Sequence, residues 1–128
     1  MAARGTRLSH RADQIARHFI SRYEVEWSNG GAEAVSRLYA SDAVLVGLVT
    51  AIGRSQSCAL LRGIIGQGWT SIRFKIVNVR QVGGVILIAN EYAAIGTGEN
   101  AGKTLNATSS HVLVESNGEW LATLHTAR

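Results

Sequence analysis

The sequence predicts an α+β fold, with helices collected on one face of a curved, mostly antiparallel sheet. Three observations carry this expectation. Residues 9–28 repeat apolar side chains at three- and four-residue steps, the period of a helix with one buried stripe. From Ser71 onward the period switches to two, as in half-buried strands. Turn signals at Gly83-Gly84 and Asn117-Gly118 then divide that second half into hairpins.

Each element has its own justification. In the first helix Ala12, Ile15, Ala16, Phe19, Tyr23 and Trp27 form the stripe, Ser9 is the expected N-cap, and Asn29-Gly30-Gly31 stops the helix. A short second helix is expected over 32–39, with Val35, Leu38 and Tyr39 on one side. The β-branched run "AVLVGLVT" reads as one buried strand. Ser55 is placed to cap a third helix through "QSCALLRGII". "SIRFKI" sets Ile72, Phe74 and Ile76 against Arg73 and Lys75, and "VILIANEYAAI" follows as the next strand. "GTGENAGK" is a loop, and "TLNATSSHVLVE" and "EWLATLHTA" make the closing hairpin. Runs of strands after runs of helices mean helices on one sheet face.

Composition bounds the functional classes. The 128 residues form one core-bearing domain, expected over 9–128 behind a flexible basic tail at 1–8. Net charge is +4, with Arg4, Arg7, Arg11, Arg17 and Arg22 among the first 22 positions. The strands carry no basic stripe interleaved with aromatics, so a solvated helix face is expected rather than a nucleic-acid site. No apolar run is long enough to span a bilayer, and the N-terminus lacks the apolar stretch of a secretory signal. No membrane partner is expected. A single cysteine, Cys58, excludes an internal disulfide and fits a cytoplasmic protein. No His or acid pair sits at i, i+4 on an inward face, so no metal is expected. "GTGENAG" is one residue too long for a dinucleotide loop and links two strands, so no cofactor is expected.

Four stretches carry a family likeness: "WSNGGAEAVSRLYASDAVLVG", "GRSQSCALLRGI", "VILIANEYAAIG" and "VLVESNGEWLATLHTAR". In this order they resemble the nuclear transport factor 2-like superfamily, and within it the SnoaL-like and SgcJ/EcaC-type groups. The resemblance covers about residues 12–128. It implies a conical α+β barrel with a pocket inside the sheet's concave face, closed by the first helix. It also implies a homodimer packed through the outer sheet face. The superfamily hosts enzymes and plain binding proteins alike, so the fold alone does not name a reaction.

The catalytic sets of three relatives are not intact here. Ketosteroid isomerases use a tyrosine on the first helix, a base and a second acid; the resemblance puts these at Tyr23, Gly47 and Ser110. Without a base there is no proton shuttle. Epoxide-hydrolase-like members need aspartates inside the cone, and dehydratase-like members a His–Asp pair. The only aspartates here are Asp13 and Asp42. Asp42 reads as a turn or helix-end acceptor.

The pocket residues remain. The same resemblance sets Asn106, Thr108 and Ser110 inward on the fourth strand, and Leu121, Thr123 and His125 inward on the last, with Trp120 facing the other way. His111 then faces away, and His10 and His18 are solvated. On the third strand Ala89, Glu91 and Ala93 are the expected inward set, with Asn90 and Tyr92 as the alternative. A buried carboxylate needs a partner, which makes a Glu91–His125 pair a candidate acid–base couple. His125, Glu91 and Tyr23 are thus the catalytic candidates. Tyr23, Trp27, Trp69, Tyr92, Asn106, Thr108, Ser110 and Thr123 are the ligand-binding candidates. Trp69 lies in the joint "GIIGQGWTS", an expected rim or lid because Gly63, Gly66 and Gly68 allow motion. The expectation is a small-molecule pocket for an apolar or aromatic ligand, with a cofactor-free acid–base enzyme as one form of it. The alternative is a non-catalytic dimeric accessory module. A cavity of about 300 Å³ with convergent polar groups favours the first. A cone packed shut by Trp27, Phe74 and Tyr92 favours the second.

Overall fold

The computed structural model describes residues 2–128, with side chains from residue 10 onward. Helix α1 spans Ala2–Asn29, so it begins before Ser9, the expected cap. Its buried residues Ala12, Ala16, Phe19, Ile20, Tyr23 and Trp27 match the expected stripe except that Ile20 joins it and Ile15 is only partly buried. Helix α2 is shorter than expected, Gly31–Ser36. Tyr39 is not its last residue but the first of strand β1 (Tyr39–Val46). The chain is captured there because the Leu38 carbonyl accepts the Ala122 N–H at 2.9 Å.

"AVLVGLVT" is not one strand. It folds back through Gly47 into β2 (Thr50–Ile52), with Val46 opposite Thr50. The apolar Leu48 is fully exposed at that tip, so the turn overrides the hydrophobic run. Helix α3 spans Gly53–Gly66 and starts two residues before Ser55. Gly53 sits at φ +84°, which lets the chain leave β2 sharply, and Gln56 Oε1 accepts the Ile52 N–H at 2.9 Å. Asp42 lies exposed within β1, where the register shifts, rather than at a turn.

Four long strands follow: β3 (Trp69–Val82), β4 (Val85–Gly96), β5 (Thr104–Ser116) and β6 (Glu119–Ala127). The six strands form one open sheet, ordered β2-β1-β6-β5-β4-β3. All neighbours are antiparallel except β1 and β6. The barrel is therefore not closed, and β3 is an edge. The β5–β6 turn has Asn117 at φ 52° and Gly118 at φ 82°, the double left-handed geometry that makes Asn-Gly a hairpin signal.

The core lies between α1 and the concave sheet face. Ile72, Ile86, Ile88, Leu113, Ala122 and Leu45 line the sheet side, against Phe19, Tyr23 and Trp27 of α1. At its edge, β3 is held to α1 by Glu24, whose carboxylate accepts the Phe74 N–H at 2.7 Å. No helix among the described residues is long and apolar enough to cross a membrane.

Candidate functional site

Strand parity decides which side chains enter the cone. On β4 the buried set is Ile86, Ile88, Asn90 and Ala94, with Tyr92 in the same file. Glu91 is exposed on the outer face, opposite Lys75 and Thr108. The Glu91–His125 couple does not exist: Glu91 lies on the exposed outer face, where water solvates the carboxylate at lower cost than burial. On β5 the buried residues are Ser109, His111 and Leu113. Asn106, Thr108 and Ser110 face outward, and His111, expected outside, is fully buried. Here the two parities were hard to separate, since Val112 and Val114 are as apolar as Leu113.

On β6 the register slips between Val112 and Leu113, so Thr123 becomes an extra residue. Trp120 and Ala122 share the inner side, and Trp120 packs against the core rather than away from it. Leu121 pairs with Val114 on the outer side. After the bulge His125 turns inward, as expected, although the expected companion Leu121 does not and Thr123 is the bulge residue itself.

The inner face therefore gathers a polar cluster that the sequence reading assembled only in part. The Tyr23 and Tyr39 hydroxyls lie 2.7 Å apart, and the Tyr39 hydroxyl lies 2.7 Å from His125 Nδ1. His111 and His125 are directly paired across β5 and β6. Their rings stack with centroids 4.0 Å apart and 18° between planes. Asn90 Nδ2 lies 3.1 Å from His111 Nδ1 and 3.3 Å from Ser109 Oγ. Phe19, Tyr23 and Phe74 present edges around His111 at 5.3, 5.5 and 5.7 Å. Trp27 stacks on Tyr23 and donates its indole N–H to the Trp69 carbonyl. Tyr39 and His111 were absent from the expected set, and Asn90 entered it only as the alternative inward residue of its strand. Tyr39 was hidden by the misplaced end of α2, and His111 by the inverted parity.

Burial governs the protonation of this cluster. Desolvation lowers the His125 pKa to about 3. It takes His111 well below its ordinary value, and the neighbouring His125 adds to the effect. Both rings are neutral at physiological pH. Desolvation also raises the Tyr23 and Tyr39 phenols, so both keep their protons. Three buried polar atoms here have no partner: Asn90 Oδ1, His111 Nε2 and His125 Nε2.

Two grooves open on the described surface, and neither is lined by Tyr39, Asn90, His111 or His125. One, of about 500 Å³, lies between α1 and β3 and is lined by Arg17, Ile20, Glu24, Phe74, Ile76 and Val79. The other, of about 520 Å³, is lined by Arg73, Lys75, Glu91, Tyr92, Asn106 and Thr108. Three expected pocket residues, Glu91, Asn106 and Thr108, thus meet on the outer face rather than in the cone. Ser110 is also outside and shares a hydrogen bond with Thr126. The glycine-rich joint is stapled rather than loose. Thr97 N–H donates to the Gly68 carbonyl at 2.7 Å, and any Cβ at Gly68 would collide with the Thr97 carbonyl. Gly68 thus serves close approach, while Gly63 and Gly66 have open space around them. His10 and His18 are exposed, as expected. Among the described residues no three His, Cys, Asp or Glu side chains converge as a metal site would require.

No family model matches the chain, and no curated protein does. Solved structures do. An NTF-2-like protein of unknown function from Shewanella oneidensis MR-1 superposes with a TM-score of 0.77 at 11% identity, covering 90% of this chain and 97% of that one. A ketosteroid isomerase-like protein from Erwinia carotovora atroseptica gives 0.75 at 17% identity, covering 89% and 92%. A protein of ketosteroid isomerase-like fold from Catenulispora acidiphila, in complex with trimethylamine, gives 0.61 at 17% identity, covering 86% and 83%. The fold is the NTF2-like, cystatin-like α+β cone.

Proposed function

We propose that this chain binds a small, mainly apolar molecule at the inner polar cluster, as a binding protein rather than an acid–base enzyme. One observation carries the reading: Asn90 Oδ1, His111 Nε2 and His125 Nε2 are buried without partners. Each such atom costs about 1–3 kcal/mol, and a purely structural core gains nothing by keeping three. A ligand with a hydrogen-bonding group offsets that cost. The low basicity of His125 argues against a proton-accepting role at neutral pH. The groove between α1 and β3 is the entrance, and Phe74, which lines it and touches His111, is the side chain that turns aside. The trimethylamine complex of the similar Catenulispora protein supports capture of a small molecule by this fold.

Two copies pair, in this reading, through the outer sheet face. There Leu87, Val112 and Leu124 form one cross-strand row, and Val85, Val114 and Leu121 the next. The cell compartment is the cytoplasm, where the lone Cys58 stays reduced. A second reading, a non-catalytic dimeric module with a filled cone, is favoured by the tight burial of Tyr23, Trp27, Tyr39 and His111.

Titration with toluene, followed by amide and side-chain NMR, separates the two. Binding predicts shifts at Phe74, His111 and His125. Unchanged spectra, or shifts only on the outer face, move the assignment to the filled module.

A further inference from the structure

We propose that the ligand is an uncharged carbonyl compound whose oxygen is held by the Nε2–H groups of His111 and His125. This rests on the binding reading above. The partners of the two Nδ1 atoms determine where each ring carries its proton.

An amide nitrogen donates and does not accept. Asn90 Nδ2 faces His111 Nδ1 at 3.1 Å, so Nδ1 is the acceptor and the proton of His111 sits on Nε2. At His125 the Nδ1 partner is the Tyr39 hydroxyl, at 2.7 Å. A pyridine-type nitrogen is a better acceptor than a phenol oxygen, so Tyr39 donates to His125. Tyr23 in turn donates to Tyr39. The relay of protons runs Tyr23 to Tyr39 to His125, and His125 also carries its proton on Nε2. Chains of this kind polarise along their length, which strengthens the terminal donor.

Both Nε2–H groups are then donors without an acceptor, on rings that are fully or nearly fully buried. The rings rise from directly paired positions and stack with centroids 4.0 Å apart, which puts the two donors on neighbouring rings. Two neutral donors side by side attract partial negative charge. No Lys or Arg is buried in the cluster, so a full carboxylate would enter without a counterion. A carbonyl oxygen, with two lone pairs and no net charge, fits this donor set. The edges of Phe19, Tyr23 and Phe74 fit an apolar or aromatic body.

The test uses the whole chain and two probes of matched shape, acetophenone and ethylbenzene. Acetophenone is expected to bind about tenfold tighter or better. His111→Phe, which keeps a flat ring and removes one of the two donors, is expected to reduce that preference severalfold. Nitrogen-15 NMR of the free, unaltered protein is expected to find a pyrrole-type nitrogen at ε2 of both histidines. Equal binding of both probes overturns the carbonyl assignment and leaves the binding reading standing. Failure of both probes to bind overturns the two together. Protons at Nδ1 of both rings would leave Nε2 lone pairs, which suit a divalent metal rather than a carbonyl, and would also overturn it. The tautomer measurement decides even where a variant fails to fold.

Discussion

The pairs His111–His125 and Ser110–Thr126 are neighbours in the same β5–β6 ladder, one residue apart, on opposite faces of the sheet. The outer pair bonds to itself, hydroxyl to hydroxyl, at the half-exposed surface. The inner pair stacks ring on ring and leaves two buried nitrogens without partners. One ladder thus carries two different energetic situations. Outside, solvent supplements any missing bond, so polar residues are cheap. Inside, every missing bond is a standing cost, so the polar residues call for a function.

Leu113→Ala, two residues along from His111 in the same core, is expected to cost about 2–5 kcal/mol in urea denaturation. A loss comparable to a surface substitution would mean the inner face is misassigned. Acid titration comes next. His125 has a folded pKa of about 3 against an ordinary 6.5, and His111 is lowered too. Between these values the unfolded chain binds protons that the folded chain refuses. Stability is full above about pH 6.5 and falls as pH drops, by about 1.4 kcal/mol per pH unit for each histidine. His111→Phe should reduce that slope by about half, and an unchanged slope would place the acid sensitivity elsewhere. Tyr39→Phe removes the middle of the relay and should cost about 1–3 kcal/mol. Ser110→Ala, on the outer face, should stay within about 0.5 kcal/mol. If these last two prove equal, the inner relay has no special energetic standing. Leu124→Glu belongs to the same outer face; it should convert a dimer to a monomer in sedimentation, and an unaltered sedimentation coefficient would remove that face as the interface.

Much of the fold was legible because periodicity and turns report it directly. The α1 stripe, the Gly83-Gly84 and Asn117-Gly118 hairpins and the order of elements all follow from spacing. The candidate site was less legible. The inner direction of a strand is readable only where one parity is polar, and in "SSHVLV" the apolar residues occupy both. The bulge at Thr123 exchanges inside and outside partway along β6, which no fixed alternation predicts. His125 was placed correctly while its neighbours Leu121 and Thr123 were not. Glu91 was read inward from the same ambiguity, and its alternative, Asn90 with Tyr92, proved to be the inner file. Tyr39 escaped notice because Leu38 and Tyr39 look helical in sequence. Only the long-range bond to Ala122 draws that segment into the sheet.

The most direct measurement is a crystal structure of the protein grown with acetophenone, with the cone inspected for added density. Phe74 is expected to have turned from its present position, with a carbonyl oxygen within hydrogen-bond distance of Nε2 on both His111 and His125. A cone still closed by Phe74, with the two rings stacked and nothing beside them, would contradict that expectation.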